Sequence, residues 1–498
     1  MFKTFIINHE KKVQRFLEVL PGLVSWNLIL FPYWGIFIIP KVVAYYILGY
    51  TVYWFYQSFQ IATTGIISHL RIQASMQNDW IKDLNARFKD WQKIKHVIII
   101  PTYKEPLYIL ERTISSVANQ TLPKKQIVLI LAMEKKEDEK ERNIKIAALT
   151  KKFEGVFDNF IATVHELVPG EIIGKSSNEK YAAKWFKANY IDKYKKDIKN
   201  YTVTSCDADH TFHKNHFASL TYLYLANKDR YMRFWQPAVL FYNNIWELPA
   251  ITRTTNILGS IFNLSQLPRK DRLINVSNYS LSYKLLHEVD YWDADKIPED
   301  WGIFFKSYFK KQGGVEVEAN YLPVYADAAQ SSTTWKTIKN QYEQKKRWAW
   351  GVSDDPWIIK AYFLTPNVPF WEKTMRVWYV IQSHFFWPVH WFAITIGLQI
   401  PVLLNARFGR TTLAHTVPEI SSVILTAALG FLFIMLILDR IYRPERPSRY
   451  PVWRAIVQPL EFFLMPVVGF FFSALPGLDA HTRLMLGKYI EYKVTEKV

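Results

Sequence analysis

The sequence reads as an α/β domain with a doubly wound, mostly parallel sheet, held between two apolar ends. Three observations carry this reading. Short apolar runs alternate with amphipathic runs through the middle of the chain. That middle, from Ser68 to Arg376, is polar and rich in lysine. The flanks carry stretches near the ~20-residue length that spans hydrocarbon.

In the middle region, "HVIIIP" (His96–Pro101) is a buried strand ended by proline, and "LYILERTISSVANQ" is a helix with Leu110, Ile114 and Val117 on one face. "QIVLILA" (Gln126–Ala132) is the next strand, followed by a helix in "KERNIKIAALTKKF". "NFIATVHEL" is a strand, "EKYAAKWFKANYIDKYKKD" a helix and "NYTVTSC" (Asn200–Cys206) a strand. Such alternation argues for a parallel sheet, whose ligands bind at the carboxyl ends of the strands. Asp207 and Asp209 stand at such an end.

At the N-terminus, Gly22–Ile39 and Val42–Ile67 form a helical hairpin broken at Pro40-Lys41. Toward the C-terminus, Val377–Leu404, Ile420–Ile441 and Ala455–Leu478 are further candidate spans. Pro459, Pro466 and Pro476 interrupt the last, which reads as re-entrant or broken. The opening lacks a small-residue cleavage site and is no cleavable signal. The Arg-rich loop Asp439–Arg454 and the lysine-rich middle mark the cytoplasmic side. The expected organisation is a membrane hairpin (1–67), a cytoplasmic domain (68–353), an interfacial segment (354–376), a second membrane region (377–482) and a cytoplasmic tail (483–498). A multi-pass protein of the plasma (inner) membrane follows.

Composition narrows the function. The chain has 498 residues, 62 Lys+Arg against 44 Asp+Glu, and a formal charge of +18. Such an excess suits nucleic acid, an anionic membrane or an anionic small substrate. Hydrophobic residues make up 50% and aromatics 16%, with 19 Trp, which argues against a nucleic-acid partner and for aromatic belts in a bilayer. The single cysteine, Cys206, excludes an intrachain disulfide and fits a reducing compartment.

Asp207 and Asp209, separated by one residue, repel each other unless a cation sits between them. A hard divalent ion that takes one or two carboxylates and completes its shell with phosphate oxygens answers that need; a solvated turn is the plain alternative. Gln344, Arg347 and Trp348 share one helical face at i, i+3 and i+4. Glu299 and Asp300 open a helix after Pro298, where they complement its dipole whether or not they do chemistry.

"HVIIIPTYKEP", "SCDADH", "IPEDW" and "QKKRWAWG", in this order, resemble the membrane-embedded family 2 glycosyltransferases, the group of cellulose, hyaluronan, chitin and mannan synthases. The resemblance covers His96 to Gly351 and continues into the C-terminal spans. It implies a glycosyltransferase-A-type, Rossmann-like fold and an inverting transfer from a nucleotide sugar, with Mg²⁺ or Mn²⁺ as cofactor. Thr102, Tyr103 and Glu105 would hold base and ribose. Glu134 stands where many relatives carry two Asp, a departure that leaves the nucleotide open. Lys175 and Asn178 would lie by the diphosphate. Asp207 would contact ribose or metal and Asp209 would ligate the metal. Asp300 would be the general base supported by Glu299, with Pro298 replacing the family's Thr. Gln344 and Arg347 would meet the diphosphate, and Trp348 would stack on the acceptor sugar. Trp235 and Gln236 resemble the stretch lining the acceptor site. The tail "EYKVTEKV" resembles the gating loop of cellulose synthases, which would bring Thr495 and Lys497 over the nucleotide.

The partners expected are therefore a nucleotide-sugar donor, a growing glycan or lipid acceptor and the bilayer. Repeated transfer into a polysaccharide is the favoured activity and transfer of one sugar to a lipid is the alternative. A membrane transporter or scaffold with a basic domain is a third reading, which leaves the ordered acids unexplained.

Overall fold

A computed structural model describes residues 2–491. Its centre is an eight-stranded sheet in the order β3-β2-β1-β4-β7-β6-β8-β5. The strands are β1 (Lys95–Thr102), β2 (Ile127–Glu134), β3 (Asn159–His165), β4 (Tyr201–Ser205), β5 (Thr211–Phe212), β6 (Arg233–Leu240), β7 (Tyr279–Ser282) and β8 (Glu316–Tyr325). The four strands read from the sequence, β1 to β4, form the parallel half. Side chains alternate across a strand, so β1 and β2 feed two cores. Val97, Ile99, Val128 and Ile130 pack with Ala183, Phe186 and Phe304 on one face. Ile98, Ile100, Leu129 and Leu131 pack with Leu110, Ile114 and Phe217 on the other.

The second half departs from the parallel reading. β7 runs antiparallel to β4 and to β6, β6 is parallel to β8, and β5 is antiparallel to β8. The β4–β7 pairing sets Ser205 opposite Tyr279. The end of β4, with Asp207 just beyond, therefore meets the residues that enter β7. Ser277 reaches the acids in this way from seventy positions along the chain.

The apolar ends differ in part from expectation. Among the described residues, three helical stretches are long and apolar enough to cross a membrane: Glu10–Ile38, Thr412–Tyr442 and Gln458–Met485. The expected span Val42–Ile67 lies within one long helix, Pro40–Gln77, which is not one of the three; its Tyr, Thr and Gln content dilutes its hydropathy. Val377–Leu404 is not one helix, because the helix Phe370–Phe386 ends before Pro388 and a short helix restarts at Ile400. The expected interruption at Pro459, Pro466 and Pro476 takes the form of successive changes of helix type rather than a chain reversal.

Close packing joins the two ends. A Cβ at Gly65 would lie 2.8 Å from Leu438, and one at Gly22 would lie 2.8 Å from the His481 carbonyl. Only glycine permits these approaches without displacement. The outer face of Thr412–Tyr442 exposes Val423, Leu429, Phe433 and Ile437.

Candidate active site

The site grows from a lysine whose side chain is 11% exposed, at the start of the helix Lys175–Phe186. Lys175 Nζ lies 2.8 Å from Asp207 Oδ1 and 3.1 Å from Glu299 Oε1. It also donates to the Ser277 carbonyl at 2.6 Å. Burial pushes its pKa down, but Asp207, Glu299 and Glu179 outweigh burial and carry it well above the ordinary lysine value. Lys175 is a fixed cation.

Ser277 connects the acids. Its hydroxyl donates to Asp207 Oδ2 at 2.7 Å and its N–H donates to Asp300 Oδ2 at 2.9 Å. The residue adopts φ 57°, a left-handed conformation uncommon for residues other than glycine. Gln236 braces this loop, accepting from the Val276 N–H at 2.8 Å and donating to the Val276 carbonyl at 3.1 Å.

Asp300 stands in the first turn of the helix Glu299–Lys310. Its second oxygen accepts the Trp301 N–H at 2.9 Å, and Asn275 holds its carbonyl at 2.7 Å. Two backbone donors thus aim one carboxylate. Burial raises its pKa, and the Ser277 N–H, Lys175 and the Trp301 N–H restrain the rise. Burial also pushes Glu299 up to about 7, against the pull of Lys175 and with the repulsion of Asp300 and Asp207. Glu179, buried with its Oε1 accepting from Ser205 at 2.6 Å, is pushed by burial up to about 8. A carboxylate held in this range suits proton transfer near neutrality.

Asp209 is buried and differently held. Its Oδ2 accepts the Asp327 N–H at 2.8 Å, while Asp327 is paired to Arg112 at 2.6 Å. His210 leans on Asp207 at 3.6 Å. Among the described residues no group of three or more His, Cys, Asp or Glu is arranged to hold an ion by itself. The donor chemistry nevertheless fits Mg²⁺ or Mn²⁺: two hard carboxylates leave one strand end, and such ions take their remaining ligands from substrate phosphates and water.

On the donor side, Thr102 and the Tyr103 N–H both donate to Glu105, closing the turn after β1. Glu134 ends β2, buried beside Asn178, and burial raises its pKa. Asn178 is paired with His165 at 3.2 Å. Thr102 and Glu134 are the last residues of β1 and β2, and Asp207 lies two residues beyond β4, while Lys175 and Asn178 stand in the first turn of the helix Lys175–Phe186.

The two strand residues expected to line the acceptor, Trp235 and Gln236, are both buried. Trp235 is buried in the core against Tyr224, with ring centroids 5.5 Å apart. Gln236 spends both ends of its amide on the 276–277 loop. As neighbours on β6 the two side chains take opposite faces of the sheet. Gln344 accepts from Gln341 at 2.9 Å, and Gln341 accepts from Asn256 at 2.7 Å, so Gln344 belongs to a chain of amides. Arg347 and Trp348 follow on the same helix, Thr334–Ala349, with Trp348 5.7 Å from Phe241. Thr495 and Lys497, with Tyr492 and Val494 of the same motif, lie outside the described residues. Sequence reading missed Ser277 and Glu179. Their only signals were a serine entering a short strand and a glutamate one residue after Asn178.

Residues 202–438 match the family model described as glycosyl transferase family group 2. This segment, from β4 through Asp300 and Arg347, is a glycosyltransferase domain, and the chain is an enzyme of that class. The match begins after Thr102, Glu134 and Lys175. No curated protein sequence matches the chain. Among solved structures, the chain is similar to the mannosyltransferase PcManGT from Pyrobaculum calidifontis in complex with GDP-Man and Mn²⁺, at 11% identity and a TM-score of 0.43, covering 76% of this chain and 98% of that one. It is similar to S. aureus TarS 1–349 in complex with UDP at 10% identity and a TM-score of 0.34, covering 71% and 95%. GalNAc-T7 with UDP, GalNAc and Mn²⁺ follows at 16% identity and a TM-score of 0.34, covering 59% and 58%. Likeness at these scores adds nothing to the family match.

Proposed function

We propose that this protein is an inverting, multi-pass membrane hexosyltransferase that extends a polysaccharide from a nucleotide-sugar donor, with its catalytic domain on the cytoplasmic side. The observation that carries this reading is Asp300, a half-buried carboxylate aimed by two backbone N–H groups beside the Lys175–Asp207–Glu299 cluster. The apolar outer face of Thr412–Tyr442 and the Arg-rich loop after it support the bilayer and its orientation.

In the reaction, Asp300 takes the proton of the acceptor hydroxyl as its oxygen forms a bond to the anomeric carbon. The bond from that carbon to the diphosphate oxygen breaks on the opposite face, so configuration inverts. Lys175 supplies fixed positive charge next to Asp207, where charge develops on the leaving group. Asp207 and Asp209 would hold a Mg²⁺ or Mn²⁺ ion, which when bound supplies further charge neutralisation to the diphosphate. Thr102, Tyr103, Glu105, Glu134 and Asn178 would line the nucleoside. Trp348 offers an indole face to the acceptor sugar, and Arg347 offers a guanidinium suited to phosphate.

The test is incubation of purified enzyme with a panel of nucleotide sugars, with and without chelator, followed by sizing of the product and assignment of its anomeric configuration. A long, inverted product that is lost with chelator and restored by Mg²⁺ or Mn²⁺ is expected. A single sugar on a lipid would replace polymerisation, and retention of configuration would remove the base role of Asp300.

A further inference from the structure

A second lysine withdrawn from water lies on the Thr334–Ala349 helix. Lys345 is 7% exposed, and among the described residues its ammonium has no carboxylate within ion-pair distance and no hydrogen-bond acceptor. Its one close partner is Trp348, whose ring centroid lies 4.0 Å from Nζ. A cation over an indole recovers only part of what an ammonium loses on leaving water. Burial accordingly pushes the Lys345 pKa down to about 7.

The surroundings are polar without being complete. Across from Lys345 runs the helix Ala250–Gln266, where Asn256, Gly259 and Ser260 form one side. Gly259 offers no side chain there: a Cβ would lie 3.8 Å from Lys345 Nζ and 3.8 Å from Phe241. Asn256 is fully buried and donates to Gln341, yet its Oδ1 has no partner among the described residues. Buried polar atoms are ordinarily satisfied. Among the described residues, a largely buried cation and a buried amide oxygen thus stand without hydrogen-bond partners on facing helices, beside an indole.

We infer that the acceptor this enzyme extends carries a negative charge, a carboxylate or a phosphate, and that Lys345 binds it next to the sugar stacked on Trp348. The inference rests on the reading that Trp348 faces the acceptor. An anion would supply the counter-charge that the protein withholds, and a lysine, as a point charge, accepts either anion without the bidentate geometry an arginine would impose.

The test uses full-length purified enzyme, its active nucleotide sugar, and three acceptors of equal length: a neutral hexose oligosaccharide, one containing uronate residues, and one ending in a polyprenyl phosphate. One of the two acidic acceptors should exceed the neutral one in kcat/KM by about 10- to 100-fold, the range a hydrogen bond to a charged group carries, and which of them does so identifies carboxylate or phosphate. Lys345→Met should bring the acidic-to-neutral ratio near one, while Lys345→Arg should keep most of it; Lys345→Gln serves if the methionine variant expresses poorly. A wild-type ratio near one overturns the inference and leaves glycosyl transfer standing, as does a ratio that both Lys345→Met and Lys345→Gln retain. Absence of transfer to every acceptor by the wild type overturns the proposed function, and this inference falls with it.

Discussion

Two lysines withdrawn from water, one before β4 and one on the helix Thr334–Ala349, have surroundings that could hardly differ more. Lys175 is met by Asp207, Glu299 and the Ser277 carbonyl. Lys345 meets an aromatic ring and, among the described residues, no anion. The pKa of the first is driven up and that of the second down. Burial acts on both in the same direction, so the difference lies wholly in neighbouring charge. The chain itself supplies the counter-charge of Lys175, whereas the counter-charge proposed for Lys345 comes from a ligand.

The largest expected effect falls on the machinery beside Lys175. Asp300→Asn removes the base and should lower kcat by about 10²–10⁴-fold. Donor affinity, measured by calorimetry, should persist, because the lysine and Asp207 remain. Loss of donor binding with turnover intact would reverse the assignment.

Next comes Lys175→Met. It leaves Asp207, Glu299 and Glu179 crowded without their cation, and breaking a buried charge pair typically costs about 3–5 kcal/mol. Chemical denaturation should show this loss. Because Lys175 restrains the pKa of Asp300, its removal raises that pKa, and the acidic limb of kcat/KM should move to higher pH.

Lys345→Met should behave in the opposite sense. Folded Lys345 releases its proton at about 7, whereas an unfolded lysine does so near ~10.4. The unfolded chain therefore binds more protons between those values. The contribution of Lys345 to stability is full above the upper value and is lost as pH falls to about 7. The methionine variant should be at least as stable as wild type at pH 7, and its stability should lack this rise with pH. A loss of stability like that of Lys175→Met would erase the contrast.

The smallest effect is expected from Ser277→Ala. It removes one hydrogen bond to Asp207, worth about 1 kcal/mol, and keeps the N–H on Asp300 and the carbonyl on Lys175. Activity should fall a few-fold, with most of the change in KM for the donor. A loss as large as that of Asp300→Asn would mean that the hydroxyl touches the reacting groups.

The parallel half of the sheet was legible because its signal is local. Apolar runs such as Val97–Ile100 and Ile127–Leu131 can only be buried, and each ends where polar residues begin. Asp207 stood out for the same reason. The antiparallel half was not legible, since β7 is four residues long and nothing near it in the chain shows that it pairs with β4. The burial of Trp235 against Tyr224 was not legible, because one motif places a residue along a strand without telling which face it takes. Val377–Leu404 is not one continuous helix, because turns around Pro388 and before Ile400 interrupt a stretch that hydropathy alone treats as continuous.

From residues alone one reads what each stretch of chain prefers: which runs leave water, where strands end, and which acids stand there. Those preferences depend on neighbours within a few positions, so they survive without the fold. Which charge answers which is settled only in three dimensions. Coulomb interaction depends on distance through space and strengthens as water is excluded, and both quantities come from contacts far apart in sequence. Lys175 and Glu299 are separated by more than a hundred positions and lie 3.1 Å apart, while Lys345, one position from a lysine and two from an arginine, is set apart because its helix packs it against Trp348 and the bare backbone of Gly259.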